Sequence, residues 1–244
     1  MTQTVICMKW GTRYGPDYVN RLYSMVQRHT KRPTRLVCYT DDPTGIAKGV
    51  ETFPLPYIEL PPEKTWLPWR KLSLWQKDLE GVTGDVLFLD LDVVVTGSLD
   101  EFFDYEPGHF CVARNWTQPN AGIGNTSIFR FPVGGHTYIY DRIMNECERV
   151  LQTHRNEQIF ISREITDMKY WPDAWCLSFK RSLLPSWPLN FFMVPPLPEG
   201  TKVVAFPGKP DPDEAMEGRW PLKHWYQAFY KHVRPTPWVA EHWR

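Results

Sequence analysis

Near the N-terminus, TVICMKW is a short β-branched apolar run that enters GTRYGPDYVN, a turn punctuated by glycine and proline, so a strand followed by a loop is expected. From Pro16 the apolar positions fall at helical spacing, with Tyr18, Leu22, Met25 and Val26 on one side and Asp17 placed to complement the helix dipole. RLVCYTDD then reads as a second strand ending in polar residues. Strand, helix and strand make a βαβ unit, which implies a parallel sheet with a right-handed crossover.

The next stretch, VETFPLPYIELPPEKTWLPW, is too rich in proline for regular structure and predicts a strand remnant and a long loop. RKLSLWQKDLEG predicts a helix with Leu72, Trp75 and Leu79 on one face and Gly81 as its stop. VTGDVLFLDLDVVV reads as one central strand, because a parallel strand covered on both faces is apolar throughout. HFCVARNW, NTSIFRF and KVVAFPG read as further strands, and Thr137 to His154 as a helix. In the tail, residues 221–244, aromatics recur at helical intervals, which predicts a helix packed over the sheet. Neither a repeat nor a linker interrupts the 244 residues, so the expectation is one α/β domain with a mostly parallel central sheet flanked by helices.

Charge narrows the partners. Twenty-eight basic residues balance 28 acidic ones with no basic block, which argues against nucleic acid. No charged leader precedes an apolar segment and no stretch approaches the roughly 18 apolar residues of a spanning helix, so no transmembrane segment and a cytoplasmic location are expected. Cys7, Cys38, Cys111, Cys147 and Cys176 are scattered without a CxxC pair and read as free buried thiols. The sequons at Asn115 and Asn125 are accordingly expected to carry no glycan. Twelve tryptophans hint at sugar or base stacking, although most tryptophan is core packing.

The chemistry concentrates in VLFLDLDVVV, where Asp90 and Asp92 interrupt an apolar run. On an extended segment residues i and i+2 point the same way, so the two carboxylates face each other's charge. A hard divalent cation with oxygen ligands is the usual relief, and it keeps positions open for substrate phosphates. Two reactions share this pattern. In one, a metal bridges a nucleotide-sugar diphosphate and neutralises the leaving group. In the other, hhhhDxDxV is the opening motif of haloacid-dehalogenase-like phosphatases, with Asp90 as nucleophile. That family usually begins with its DxD strand, whereas here a βαβ unit and a further predicted helix come first.

The ordered segments KWGTRYG, CYTDD, WRKLSLW, GDVLFLDLDVVVTGSLDEFF, NTSIFRF, NEQIF, WPDAWCLSFK and VVAFPGKPDP, across residues 4–220, resemble the GT-A glycosyltransferases. The pattern is most similar to the glycogenin and lipopolysaccharide-galactosyltransferase type. That resemblance implies a nucleotide-binding half over residues 1–100, a half for acceptor and donor sugar over 101–220, and transfer of a hexose from a nucleotide-sugar, UDP-linked by preference, to a glycan, lipid-linked or protein acceptor with retention of configuration. It implies that Asp90 and Asp92 hold Mn²⁺ or Mg²⁺, Asp92 the more directly. Met8, Lys9, Trp10 and Tyr14 would cradle the base, with Thr40 and Asp41 beside it; Lys71 would approach the phosphates or donor sugar, and Asn125 the donor sugar. Glu157 and Gln158 match the family's D-Q pair beside the anomeric carbon, where a carboxylate steadies an oxocarbenium-like transition state. Where the family's h-h-x-F-H-G-x-x-K-P carries a metal-binding histidine this chain has Pro207, so the remaining position would fall to Asp211, Asp213, a substrate oxygen or water. Lys209 would still meet the β-phosphate, with Gly208 giving backbone access. The missing histidine also keeps open a non-catalytic nucleotide-sugar-binding domain.

Overall fold

A computed structural model describes residues 2–244. β1 (Gln3–Lys9) is buried along its whole length, and α1 (Pro16–Arg28) starts on a proline whose missing N–H costs a first turn nothing. Val19, Leu22, Met25 and Val26 form its buried stripe, and β2 (Thr34–Thr40) returns parallel to β1 with Cys38 beside Cys7. The expected βαβ unit is therefore present. β3 (Glu51–Pro54) adds a short parallel edge, where a proline without an N–H is tolerated.

β4 (Asp85–Leu89) runs parallel to β1, with Ile6 opposite Phe88. The chain then leaves this sheet for β5 (Val93–Val95), continues through α2 (Asp100–Asp104) and β6 (Cys111–Arg114), and crosses back as β7 (Gly124–Pro132) antiparallel to β4. After α3 (Thr137–Asn145), α4 (Cys147–Thr153), α5 (Glu157–Glu164) and β8 (Lys169–Tyr170), the chain forms β9 (Cys176–Ser178), β10 (Val203–Ala205), α6 (Pro212–Glu217) and α7 (Pro237–His242). The larger sheet has seven strands in the order β3-β2-β1-β4-β7-β6-β8, and a second sheet of three has the order β5-β10-β9.

Period-two alternation explains the unbroken apolar runs. Val5, Cys7, Leu87 and Leu89 point to one layer, shared with α1 and the second sheet, while Ile6, Met8, Val86 and Phe88 point to the other. In that second layer Trp75 lies against Phe110, Phe129 and Phe131.

Several elements depart from expectation. VTGDVLFLDLDVVV is two strands in two sheets, because the chain turns between Leu89 and Val93. The segment expected as a helix through Leu79 is a 3₁₀ stretch, Pro68–Trp75, ending in a Leu79–Val82 bridge. Trp69, Lys71, Leu72, Ser73, Leu74 and Trp75 are all buried, so this segment has no solvent face on which an amphipathic helix could ride. The span from Thr137 to His154 breaks at Glu146, whose φ of −130° leaves the helical region. KVVAFPG is a strand as expected, β10, and it pairs in the smaller sheet, antiparallel to β5 and parallel to β9. The tail forms a 3₁₀ turn at Trp225–Phe229 and the short α7, with many of its aromatics turned outward. All five cysteines are free, and Cys147 alone is only half-buried. Among the described residues no helix is long and apolar enough to cross a membrane.

Candidate functional site

Asp90, Leu91 and Asp92 form the corner between the two sheets, at the carboxyl end of β4, where open α/β sheets bind ligands. Backbone bonds fix both sides of the corner: the Asp90 N–H donates to Ser127 at 2.9 Å, and the Phe206 N–H donates to the Asp92 carbonyl at 2.9 Å. The i, i+2 spacing brings both carboxylates to the same two cavities.

Each carboxylate has its own partner. Lys71 is buried, with its ammonium 2.7 Å from Asp90 Oδ1 and donating to the Thr126 carbonyl at 3.0 Å. It is therefore not the solvated lysine that a surface helix would carry. Asp92 accepts from the Tyr14 hydroxyl at 3.0 Å, a neutral donor. Burial, then the negative charge of Asp90, push the Asp92 carboxyl up to about 7. Burial and the Asp92 charge raise the Tyr14 hydroxyl far above its ordinary range, so it is held as a donor.

The narrower cavity, about 130 Å³, is lined by Met8, Trp10, Tyr14 and Trp66 with Lys71, Asp90 and Asp92 at its inner end. Its wall turns at Gly11, where φ is +62° and a Cβ would stand 2.9 Å from the Trp66 ring. A residue without a side chain is needed there. The wider cavity, about 520 Å³, opens from the same carboxylates toward Asn125, Glu157 and Gln158. Glu157 is buried at the first position of α5 and accepts from the Thr126 hydroxyl at 2.8 Å. Burial raises its carboxyl, opposed first by the positive charge of Lys71. Asn125 is fixed by accepting from the Ser127 N–H at 3.0 Å.

No protein-family model and no curated protein matches this chain. Solved structures do match its shape. The galactosyltransferase LgtC, solved in complex with donor and acceptor sugar analogs, aligns with 86% of this chain and 89% of its own at TM-score 0.61 and 11% identity. The glycosyltransferase GlyE of Streptococcus pneumoniae aligns at TM-score 0.59 and 14% identity over 86% of this chain and 56% of its own. WbbM, a bifunctional glycosyltransferase, aligns at TM-score 0.60 and 13% identity over 98% of this chain and 51% of its own.

The chain has the GT-A fold. Within this GT-A frame Met8, Trp10, Tyr14, Lys71, Asp90, Asp92, Asn125, Glu157 and Gln158 all line the joined cavities. Lys9, Thr40 and Asp41 do not. Lys9 donates to the Asp42 carbonyl at 3.3 Å, Thr40 brackets Asp42, and Asp41 accepts from the Gly11 N–H at 2.8 Å. These three brace the loop behind the narrow cavity.

Lys209 is held by two acids at the start of α6. Its ammonium sits 2.6 Å from both Asp211 and Glu214 and does not line either cavity, although Asp211 also lies 3.9 Å from Arg13 of the narrow one. Asp211 begins α6, its N–H donating to Glu214 at 2.7 Å, and Asp213 accepts from Tyr18 at 2.9 Å; neither carboxylate lines the two cavities. Gly208 has φ of +88° with open space where a Cβ would stand, next to Pro207. Pro207 does line the wider cavity beside Asp92. Among the described residues no group of three or more His, Cys, Asp or Glu side chains converges to hold a metal. Among the histidines, His154 packs on Phe160 and His232 on Phe191.

Sequence reasoning missed Arg13 and Trp66 of the narrow cavity, and Trp116, Arg155, Lys180 and Arg181 of the wider one. Lys180 and Arg181 lie in a π-turn, Phe179–Leu183, a local geometry frequent at functional sites that has no distinct sequence period.

Proposed function

We propose that this protein is a glycosyltransferase that moves a sugar from a nucleotide-sugar, UDP-linked by preference, to a glycan, lipid-linked or protein acceptor. The observation that carries the reading is the junction of two cavities at Asp90 and Asp92: an aromatic slot sized for a base, and a polar chamber that contains Glu157 and Gln158. A nucleotide-sugar laid through the junction has its base against Met8, Trp10 and Trp66, its diphosphate at the carboxylates and Lys71, and its sugar beside Asn125.

The residues at the junction suit a divalent cation of the Mn²⁺ or Mg²⁺ kind. The donors are carboxylate oxygens, and recessed Asp92 is hydrogen-bonded to a neutral phenol, with Lys71 and Arg13 acting on it only through their charge, which leaves negative charge to be balanced. Two protein ligands without a histidine favour an ion completed by diphosphate oxygens and water, and so one held weakly until the nucleotide arrives. When bound, such an ion supplies Lewis-acid neutralisation of the departing diphosphate.

The chain's own groups do the remaining work. Lys71 neutralises Asp90 and keeps it aimed at the junction. Tyr14 fixes the Asp92 rotamer, and Thr126 fixes Glu157. Glu157 and Gln158 present oxygens to the chamber where positive charge develops on the sugar ring as the bond to the diphosphate breaks. Trp116 and the loop that carries Trp66 shape the walls from which water must be excluded.

The test is release of nucleoside diphosphate from a panel of nucleotide-sugars with Mn²⁺ present, with and without simple sugar acceptors. The wild type should act on one donor, and Asp92→Asn and Glu157→Gln should each slow it at least a hundredfold while leaving the circular dichroism spectrum unchanged. Turnover at wild-type rate in both variants would refute the assignment. Saturable donor binding with no turnover would instead establish the non-catalytic reading that Pro207 keeps open.

A further inference from the structure

Away from the cavities, two segments bring an unusual amount of aromatic surface to solvent. In residues 185–194 Trp187 is 66% exposed and Phe192 77%; in 222–230 Trp225 is 78% exposed and Phe229 67%. Leu189, Met193, Leu222, Tyr226 and Tyr230 are exposed beside them. Single exposed apolar residues are ordinary, but a continuous group of this size marks a surface that meets something.

The two segments form one platform. The Trp187 indole N–H donates to the Phe229 carbonyl at 2.9 Å, and the buried Asn190 amide donates to the carbonyls of Tyr230 and His232 at 3.0 Å each. Phe191 stacks on His232 at 4.6 Å, and Gln227, also buried, accepts from the Lys223 N–H at 2.9 Å. Buried amides therefore hold both loops while the large rings point outward. Those rings are presented, not waiting to fold inward.

The charge around the platform is positive on balance, with Glu199 and Glu241 at its margins. Residues 182–198 contain no charged side chain, and between Gly218 and Ala240 the charged residues are Arg219, Lys223, Lys231 and Arg234. Arg219 is paired with Glu217 and Asp213, whereas Lys223, Lys231 and Arg234 form no ion pair among the described residues. Lys180 adds to them: its ammonium lies 5.6 Å over the Trp220 ring, and burial, Arg181 and Lys231 together lower its pKa. A protein partner or second copy would need acidic complementarity and a matching apolar face. Outward aromatics with unpaired cations among them match an anionic bilayer, where indole and phenol rings settle at headgroup level and lysine and arginine reach phosphate.

We infer that this platform is a peripheral docking surface for an anionic lipid bilayer. Lys180 and Arg181 connect it to function, because they also line the wider cavity that holds Asp90 and Glu157. A bilayer under the platform thus lies beside the mouth of that cavity, which suits an acceptor presented at a membrane. The docking itself does not depend on the sugar-transfer reading.

The experiment is co-sedimentation of the full chain with vesicles of phosphatidylcholine alone or with phosphatidylglycerol, at low and high salt, with tryptophan emission as a second readout. Wild-type protein should bind the anionic vesicles with a blue-shifted emission, bind zwitterionic vesicles weakly, and be released by salt. Trp225→Ser with Phe192→Ser should lose binding at least tenfold, and Lys223→Glu with Lys231→Glu should lose about fivefold or more per residue. Both pairs of sites are exposed or rim positions, so the thermal midpoint and nucleotide binding should stay unchanged. No binding to anionic vesicles at low salt, or equal binding by the Trp225/Phe192 variant, would overturn the inference. A concentration-dependent dimer that is abolished by the same substitutions, with vesicles ignored, would overturn it in favour of a second copy.

Discussion

Asp92→Asn should stabilise the metal-free protein, and the gain should depend on pH. In the folded chain burial and Asp90 raise the Asp92 carboxyl from 3.8 to about 7. Below about pH 4 both folded and unfolded chains hold the proton, and Asp and Asn differ little. Between pH 4 and 7 the unfolded chain releases a proton that the folded chain retains, so wild-type stability falls as pH rises; above 7 the deficit is constant. The shift of about 3 units corresponds to a ceiling of about 4 kcal/mol at 1.36 kcal/mol per unit. Solvent reaching the carboxylate through the cavities reduces this to about 2 kcal/mol. Asparagine can still accept from Tyr14, so little is lost on the other side of the comparison. Urea denaturation in the presence of chelator at pH 4.5, 6 and 8 should show the variant pulling ahead of wild type by about that amount at pH 8. A variant less stable than wild type at pH 8, or a gap independent of pH, would refute the reasoning.

Lys71→Met removes the one cation bonded to Asp90 and the nearest to Glu157, and should cost about 3 kcal/mol in urea denaturation. Adding Asp90→Asn should return more than 1 kcal/mol of that, since the two sites are in contact. Phe129→Ala opens a void against Phe88 and Trp75 and should cost about 3–5 kcal/mol without altering nucleotide affinity once the protein is folded. Gly11→Ala forces a side chain into a left-handed turn against Trp66, and should cost about 1 kcal/mol in stability while weakening nucleotide diphosphate binding by calorimetry about tenfold.

The parts of the fold readable in advance were those in which one period governs one element. β1, α1 and β2 show their alternations cleanly, and the DxD run does end a parallel strand at the sheet's carboxyl edge. The turn between β4 and β5 was invisible because VVV is as apolar in the small sheet as it would be in the large one. Lys71 could be named from its segment, but its bonds to Asp90 and Thr126 join residues 19 and 55 positions apart, which no local pattern carries. The ion pairs of Lys209, by contrast, have a local signature. Asp211, Pro212 and Glu214 form a readable start-of-helix signature, with proline at the first helical position and a reciprocal cap, and those acids claim the lysine. Trp66 belongs to a proline-rich loop whose path is set by what it packs on rather than by any period of its own.

The central claim is that the corner at Asp90 and Asp92 receives a nucleotide diphosphate together with a divalent cation. Titration calorimetry of UDP and GDP into the protein, each with and without Mn²⁺, and repeated on Asp90→Asn with Asp92→Asn, tests it directly. The account predicts binding by one nucleotide that is strengthened at least tenfold by the ion, with no such strengthening in the double variant. Binding that ignores the ion in wild type, or that the double variant retains in full, would contradict it.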